Sequence, residues 1–145
     1  MTSATIESKL CNALIEDAQP DFALYCAIGK VAGVDGHKEI VEAVLKGFRT
    51  FYGGLWVGGT AALTTASLSF TPNAVNKLVH KGDYSLEIPL SDISALSPEF
   101  GLISGIIRVT TPRGIAKLRC FGAKAFLSRI ARQQQLALAA AHVER

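Results

Sequence analysis

Apolar and polar residues alternate along much of this chain, and the period of the alternation changes part-way. Ile6, Leu10 and Leu14 recur at i, i+4 and i+8 within residues 2–17, which predicts one apolar stripe on a short N-terminal helix that Pro20 stops. Phe22–Ile28 alternates Phe22, Leu24, Cys26 and Ile28 against Ala23, Tyr25 and Ala27, and both sides are apolar enough for a buried strand. Gly29, Gly33 and Gly36 mark a turn. Ile40, Val41, Val44, Leu45 and Phe48 then give the buried side of a helix over residues 37–48, which Gly53 and Gly54 close.

From Leu55 the period becomes that of strands. Leu55–Leu63 and Ser67–Thr71 pair around a turn at Thr64–Ala66, and Pro72-Asn73 opens a polar loop that runs to Asp83. In Tyr84–Leu90, Leu86, Ile88 and Leu90 point inward, and Pro89 puts this strand at an edge or at its own end. Ile93 and Leu96 continue as a short strand before Pro98 and Gly101 turn the chain. The clearest hairpin joins Ile103–Thr110 to Ile115–Cys120 through Thr111-Pro112-Arg113-Gly114, with Gly in the turn position that often needs positive φ. If Ile107, Val109, Ala116, Leu118 and Cys120 face the core, Arg108, Lys117 and Arg119 lie outside, with Arg108 opposite Lys117. Like charges facing each other on a sheet are mildly destabilising, so this pair invites an anion or a carboxylate from elsewhere. A helix follows Gly122, with Ala123, Phe126, Leu127 and Ile130 inward, and QQQLALAAAH extends it past the domain.

Composition fits one globular domain of 145 residues, 49% apolar and 19% charged. No apolar run reaches the roughly 18 residues that span a bilayer, and no basic-then-apolar leader opens the chain, so a cytoplasmic protein is expected, with peripheral membrane contact as an option. Cys11, Cys26 and Cys120 sit in apolar patterns without metal or disulfide spacing and are expected as buried thiols. Charge changes the picture more. Residues 1–99 carry a balance of −4 and residues 100–145 a balance of +7, within an overall +3. That asymmetry favours an anionic partner for the second half, against the plainer alternative of a solvated basic face.

The order of elements already describes a small β-barrel or sandwich sealed by one helix, and the residues resemble a known family. GTAALTTASLSFTPN resembles the second and third strands of GRAM domains, while IPLSDIS, IRVTTPRG and FGAKAFLSRI resemble the later Pro-Leu-x-Asp-Ile element, the last hairpin and the closing helix. The resemblance covers roughly residues 22–132. It implies a mainly β (α+β), pleckstrin-homology-like fold: a bent seven-stranded sandwich or barrel capped by a C-terminal helix. To this the chain adds the N-terminal helix and the insertion at 37–48. The expected division is an N-terminal helix over 1–20, a GRAM or pleckstrin-homology-like domain over 21–135 and a helical tail over 136–145. Members of the family bind phosphoinositides or proteins and are not known for catalysis. Phosphoinositide-binding relatives place basic residues across the first hairpin, where this chain has Lys30 followed by Asp35.

Candidate chemistry agrees with a non-enzymatic binding module. His37, His80 and His142 are scattered without metal-ligand spacing, no nucleophile is paired with a base, and no cofactor or metal is expected. The anion-binding or lipid-binding candidates are Arg108, Lys117 and Arg119 on the last hairpin, Arg113 at its turn, and Lys77, His80 and Lys81 in the polar loop. About 1 kcal/mol per basic residue at an anionic membrane gives roughly 4 kcal/mol for four, or about millimolar affinity, so a formed pocket or oligomerisation is needed. Nucleic acid is not expected, because exposed aromatics do not interleave the basic positions and Phe121 and Phe126 fit the core. The alternative is an acidic protein partner, with the edge strand at Tyr84–Leu90, the N-terminal stripe of Ile6, Leu10 and Leu14 or the tail at Leu136–Ala141 as contact, the last suiting a homodimer. A small enzyme with a pocket beside the inserted helix is the outside reading.

Overall fold

The structure, a computed structural model, describes residues 4–19, 22, 25, 56–73, 85–101 and 104–143. The strands are β1 (Thr5–Glu16), β2 (Val57–Thr64), β3 (Ser67–Pro72), β4 (Leu86–Pro89), β5 (Ala95–Glu99), β6 (Gly105–Thr111) and β7 (Gly114–Cys120), followed by helix α1 (Ala123–Val143). They form one antiparallel sheet in the order β4-β3-β2-β1-β7-β6-β5. The expected mainly β architecture with seven strands and a closing helix is therefore present. Of the three prolines in these strands, Pro89 and Pro98 lie in the outermost strands β4 and β5, where a missing N–H costs no ladder bond, and Pro72 is the last residue of β3.

Local chemistry accounts for the turns. At the β2–β3 turn the Thr64 hydroxyl accepts hydrogen bonds from the backbone N–H groups of Ala66 (3.1 Å) and Ser67 (2.9 Å). At the β6–β7 turn the Thr111 hydroxyl donates to the Gly114 carbonyl at 2.8 Å and accepts from the Arg113 N–H at 3.1 Å. Gly114 has φ of +150°, and a Cβ there would stand 2.8 Å from the Phe22 ring, so glycine is demanded by backbone and packing together.

Two expected elements are corrected. The N-terminal segment is not a helix but β1, the central strand, which pairs with β2 on one side and β7 on the other. Ile6, Leu10 and Leu14 do share a side, because a spacing of four keeps strand parity as well as helical phase. That side faces outward: Leu10 is 84% exposed, while Cys11, Ala13 and Ile15 are buried. Hydrogen bonding to two neighbouring strands outweighs a stripe of three residues. The second correction concerns Phe22–Ile28. At Phe22 and Tyr25 the chain makes 3-10 turns instead of a strand, and the two rings pack edge to face at 5.3 Å within the core. The rest of that stretch and the helix expected at 37–48 lie outside the described residues.

The core lies between the sheet and α1. Phe126 and Ile130 are wholly buried, each contributing about 1.5–3 kcal/mol by transfer from water, and Ala123 joins them. Further along, Gln134 donates to the Leu90 and Ile93 carbonyls, and Ala137 packs against the core. Leu136 and Leu138, about half exposed, sit about 200° apart around the helix and so share no stripe.

Candidate functional site

The outer side of the last hairpin carries the predicted cations in the predicted register, with Arg108 directly opposite Lys117. The carboxylates that this pairing invites come from the neighbouring strands. Glu99 on β5 holds Arg108 at 3.3 Å and Lys117 at 3.0 Å, and Glu16 on β1 holds Lys117 at 3.2 Å. The hydrogen bond from Lys117 holds the Glu99 carboxyl below its ordinary range, and the same bond holds the Lys117 ammonium above its own. Arg113 lies 3.4 Å from Asp92 and over the Tyr25 ring at 5.0 Å, while the Tyr25 hydroxyl donates to Asp92 at 3.1 Å. Burial, more than any neighbour, pushes the Tyr25 phenol up. Three of the four hairpin cations are thus engaged within the chain.

Arg119 differs. It faces Asn12 across β1 and stacks its guanidinium on Trp56, 4.5 Å from the ring centroid. Its Nε is buried and, among the described residues, has no hydrogen-bond partner. A buried donor left unpaired costs about 1–3 kcal/mol, so the atom is a standing demand for an acceptor. Arg119 borders a cleft of about 390 Å³ on the outer side of β1, β2 and β7, with Asn12, Gly58, Leu10 and Phe121 among its walls. A Cβ on Gly58 would come within 3.3 Å of the Asn12 and Asn73 side chains, so glycine keeps that floor open. Leu10 and Phe121 are 84% and 72% exposed. An apolar hollow with one planar cation and neighbouring carboxamides suits a carboxylate or phosphate carried on an apolar body.

Arg119 was legible from strand parity, but the rest of its cleft was not. Leu10 was placed inside a helix stripe, and Phe121, expected in the core, is exposed. Parity offered a signal here, since Phe121 directly follows β7 and continues the side of Lys117 and Arg119, while Leu118 and Cys120 are buried. Lys77, His80 and Lys81 lie outside the described residues. Among the described residues no cluster of three metal-ligating side chains occurs, and no helix is long and apolar enough to cross a membrane.

A four-strand meander joined through β1 and β7 to a three-strand meander, with a helix over the open end, is the arrangement that the resemblance implies. The architecture is a seven-stranded antiparallel sheet closed by one C-terminal helix. No family model matches the chain, and no curated protein matches it. Among solved structures, the Vps36 N-terminal PH domain is similar at 16% identity over 56% of this chain, with a TM-score of 0.44. The match spans 64% of that domain. The C-terminal domain of an unknown protein from Leishmania infantum is similar at 13% identity, covering 90% of this chain and 84% of the other, with a TM-score of 0.47.

Proposed function

We propose that this pleckstrin-homology-like chain is a non-enzymatic protein-interaction module that takes an acidic side chain, flanked by apolar residues, from a partner protein into the Arg119 cleft. The observation that carries this reading is Arg119, whose buried Nε has no hydrogen-bond partner among the described residues, in one cleft with exposed Leu10 and Phe121.

Magnitudes favour a peptide over a membrane surface. With Arg108, Lys117 and Arg113 already paired to carboxylates, one hairpin cation remains, and one basic residue near an anionic bilayer contributes about 1 kcal/mol. A charge-assisted hydrogen bond made inside a cleft contributes about 1.5–3 kcal/mol and gains from apolar neighbours. Anionic lipid headgroups are accordingly the second reading, supported by the same exposed Leu10 and Phe121 acting as a shallow wedge.

Fluorescence polarisation tests the proposal with a synthetic peptide library of apolar residues around a fixed glutamate, run beside the same library with glutamine. Binding that needs the glutamate and disappears in Arg119→Met supports it. Equal binding of the glutamine library, or binding confined to phosphatidylserine vesicles, overturns it, and the latter outcome moves the site to lipid.

A further inference from the structure

We propose that Cys11 and Cys120 are a peroxide-reactive thiol pair that closes into a reversible disulfide between β1 and β7. This inference is independent of the ligand proposed for the cleft. The register runs from Glu16 opposite Ile115 to Asn12 opposite Arg119, and one further step sets Cys11 opposite Cys120. Residues directly opposite in an antiparallel pair have Cα atoms about 4.5–5.5 Å apart, and disulfides accept about 4.4–6.8 Å, so the bond needs no shift of the strands.

Both thiols are free and buried, and each shifts the other's ionisation. Both also border the cleft, which gives a small oxidant its route. Their roles follow from their surroundings. The hydrogen bond from Cys11, with help from the Lys9 ammonium and against burial and Glu7, pulls the Cys120 thiol down to about 7. Cys11 is pushed well above the ordinary thiol range by the same bond, and burial adds to it. With the Lys9 ammonium favouring its thiolate, Cys120 is assigned as the nucleophile and Cys11 as the resolving thiol.

The chemistry balances with a hydroperoxide as oxidant. The Cys120 thiolate attacks the terminal peroxide oxygen, the O–O bond breaks, and the departing alkoxide takes a proton to leave as an alcohol, or as water from hydrogen peroxide. Cys120 is left as a sulfenic acid. The Cys11 sulfur attacks the Cys120 sulfur, hydroxide departs and takes the Cys11 proton, and water is released as the S–S bond forms. Two thiols are oxidised by two electrons and one peroxide is reduced. The product ties the central strand to the last one across a long loop, which should raise the melting temperature by roughly 10 °C.

The test uses the full chain with one equivalent of hydrogen peroxide, an alkylating quench and peptide mapping by mass spectrometry. The expected result is a crosslink joining the Cys11 and Cys120 peptides with loss of two hydrogens, a higher melting temperature and reversal by dithiothreitol. In Cys11→Ser, dimedone should label Cys120; in Cys120→Ser, oxidation at Cys11 should slow at least tenfold. The proposal is overturned if the crosslink runs to Cys26, if Cys11 reacts equally fast without Cys120, or if neither thiol in the native chain oxidises until urea unfolds it.

Discussion

Lys117 and Arg119 leave the same side of β7 two residues apart, and their surroundings differ in kind. Lys117 faces Leu14 and Arg108, lies within reach of Glu16 and Glu99, and has its side chain 14% exposed. Arg119 faces Asn12 and Ile106, stacks on Trp56 and borders an open hollow. One cation is consumed in holding three strands together, and the other has, among the described residues, an unmet donor and borders a cleft. A run of basic residues on a strand therefore has no single meaning; the cross-strand neighbours decide which charge is structural and which is available to a ligand.

The sharpest way to break the comparison is Arg119→Met, which keeps an apolar stem on Trp56. Binding of the glutamate peptides should fall at least tenfold, a loss of about 1.4 kcal/mol or more, while calorimetry shows the melting temperature unchanged or higher because a buried donor with no partner among the described residues has gone. Glu99→Gln attacks the other member. It leaves Arg108 opposite Lys117 without their shared carboxylate, and urea denaturation should show a loss of about 1 kcal/mol with peptide binding retained.

Acid and alkali should act on the Lys117 side in a related way. Glu99 is held below its ordinary value of 4.5, so its contribution is complete above that value and lost as pH falls through the lowered one. Lys117 is held above its ordinary 10.5, so its contribution is complete below that value and lost as pH rises through the raised one. Stability profiles of the native chain and Glu99→Gln should coincide more closely at both extremes than at neutral pH. The smallest effect is expected from Asn12→Asp, which gives Arg119 the carboxylate that Lys117 already has. It should raise stability by about 0.5 kcal/mol and weaken peptide binding, as thermal melts and polarisation would report.

Much of this was legible where the sequence repeats a local rule. The hairpin at Thr111–Gly114, the outward register of Arg108 and Lys117, the edge position of Pro89 and the buried side of α1 all follow from turn chemistry or from a single period. Even the missing carboxylate was inferred from the Arg108–Lys117 clash, although its source was not, because Glu99 and Glu16 arrive from other strands. β1 was misread because Ile6, Leu10 and Leu14 satisfy helix and strand spacing alike. What separates the two is pairing with distant segments, which no local window contains. The cleft was hidden for the same reason: Leu10, Gly58, Arg119 and Phe121 come together only after β1 has been placed between β2 and β7.

That placement also governs the order of events when the chain folds. The meander from β2 to β4 assembles from near neighbours in sequence, and so does the one from β5 to β7. Joining them requires Asn12 to find Arg119 across most of the chain, a closure of high contact order that comes late and slowly. On a ribosome, β1 must wait with one edge unpaired until β7 has been made. During that interval its bare N–H and C=O groups, beside an exposed Leu10, are a hazard for pairing with the wrong strand.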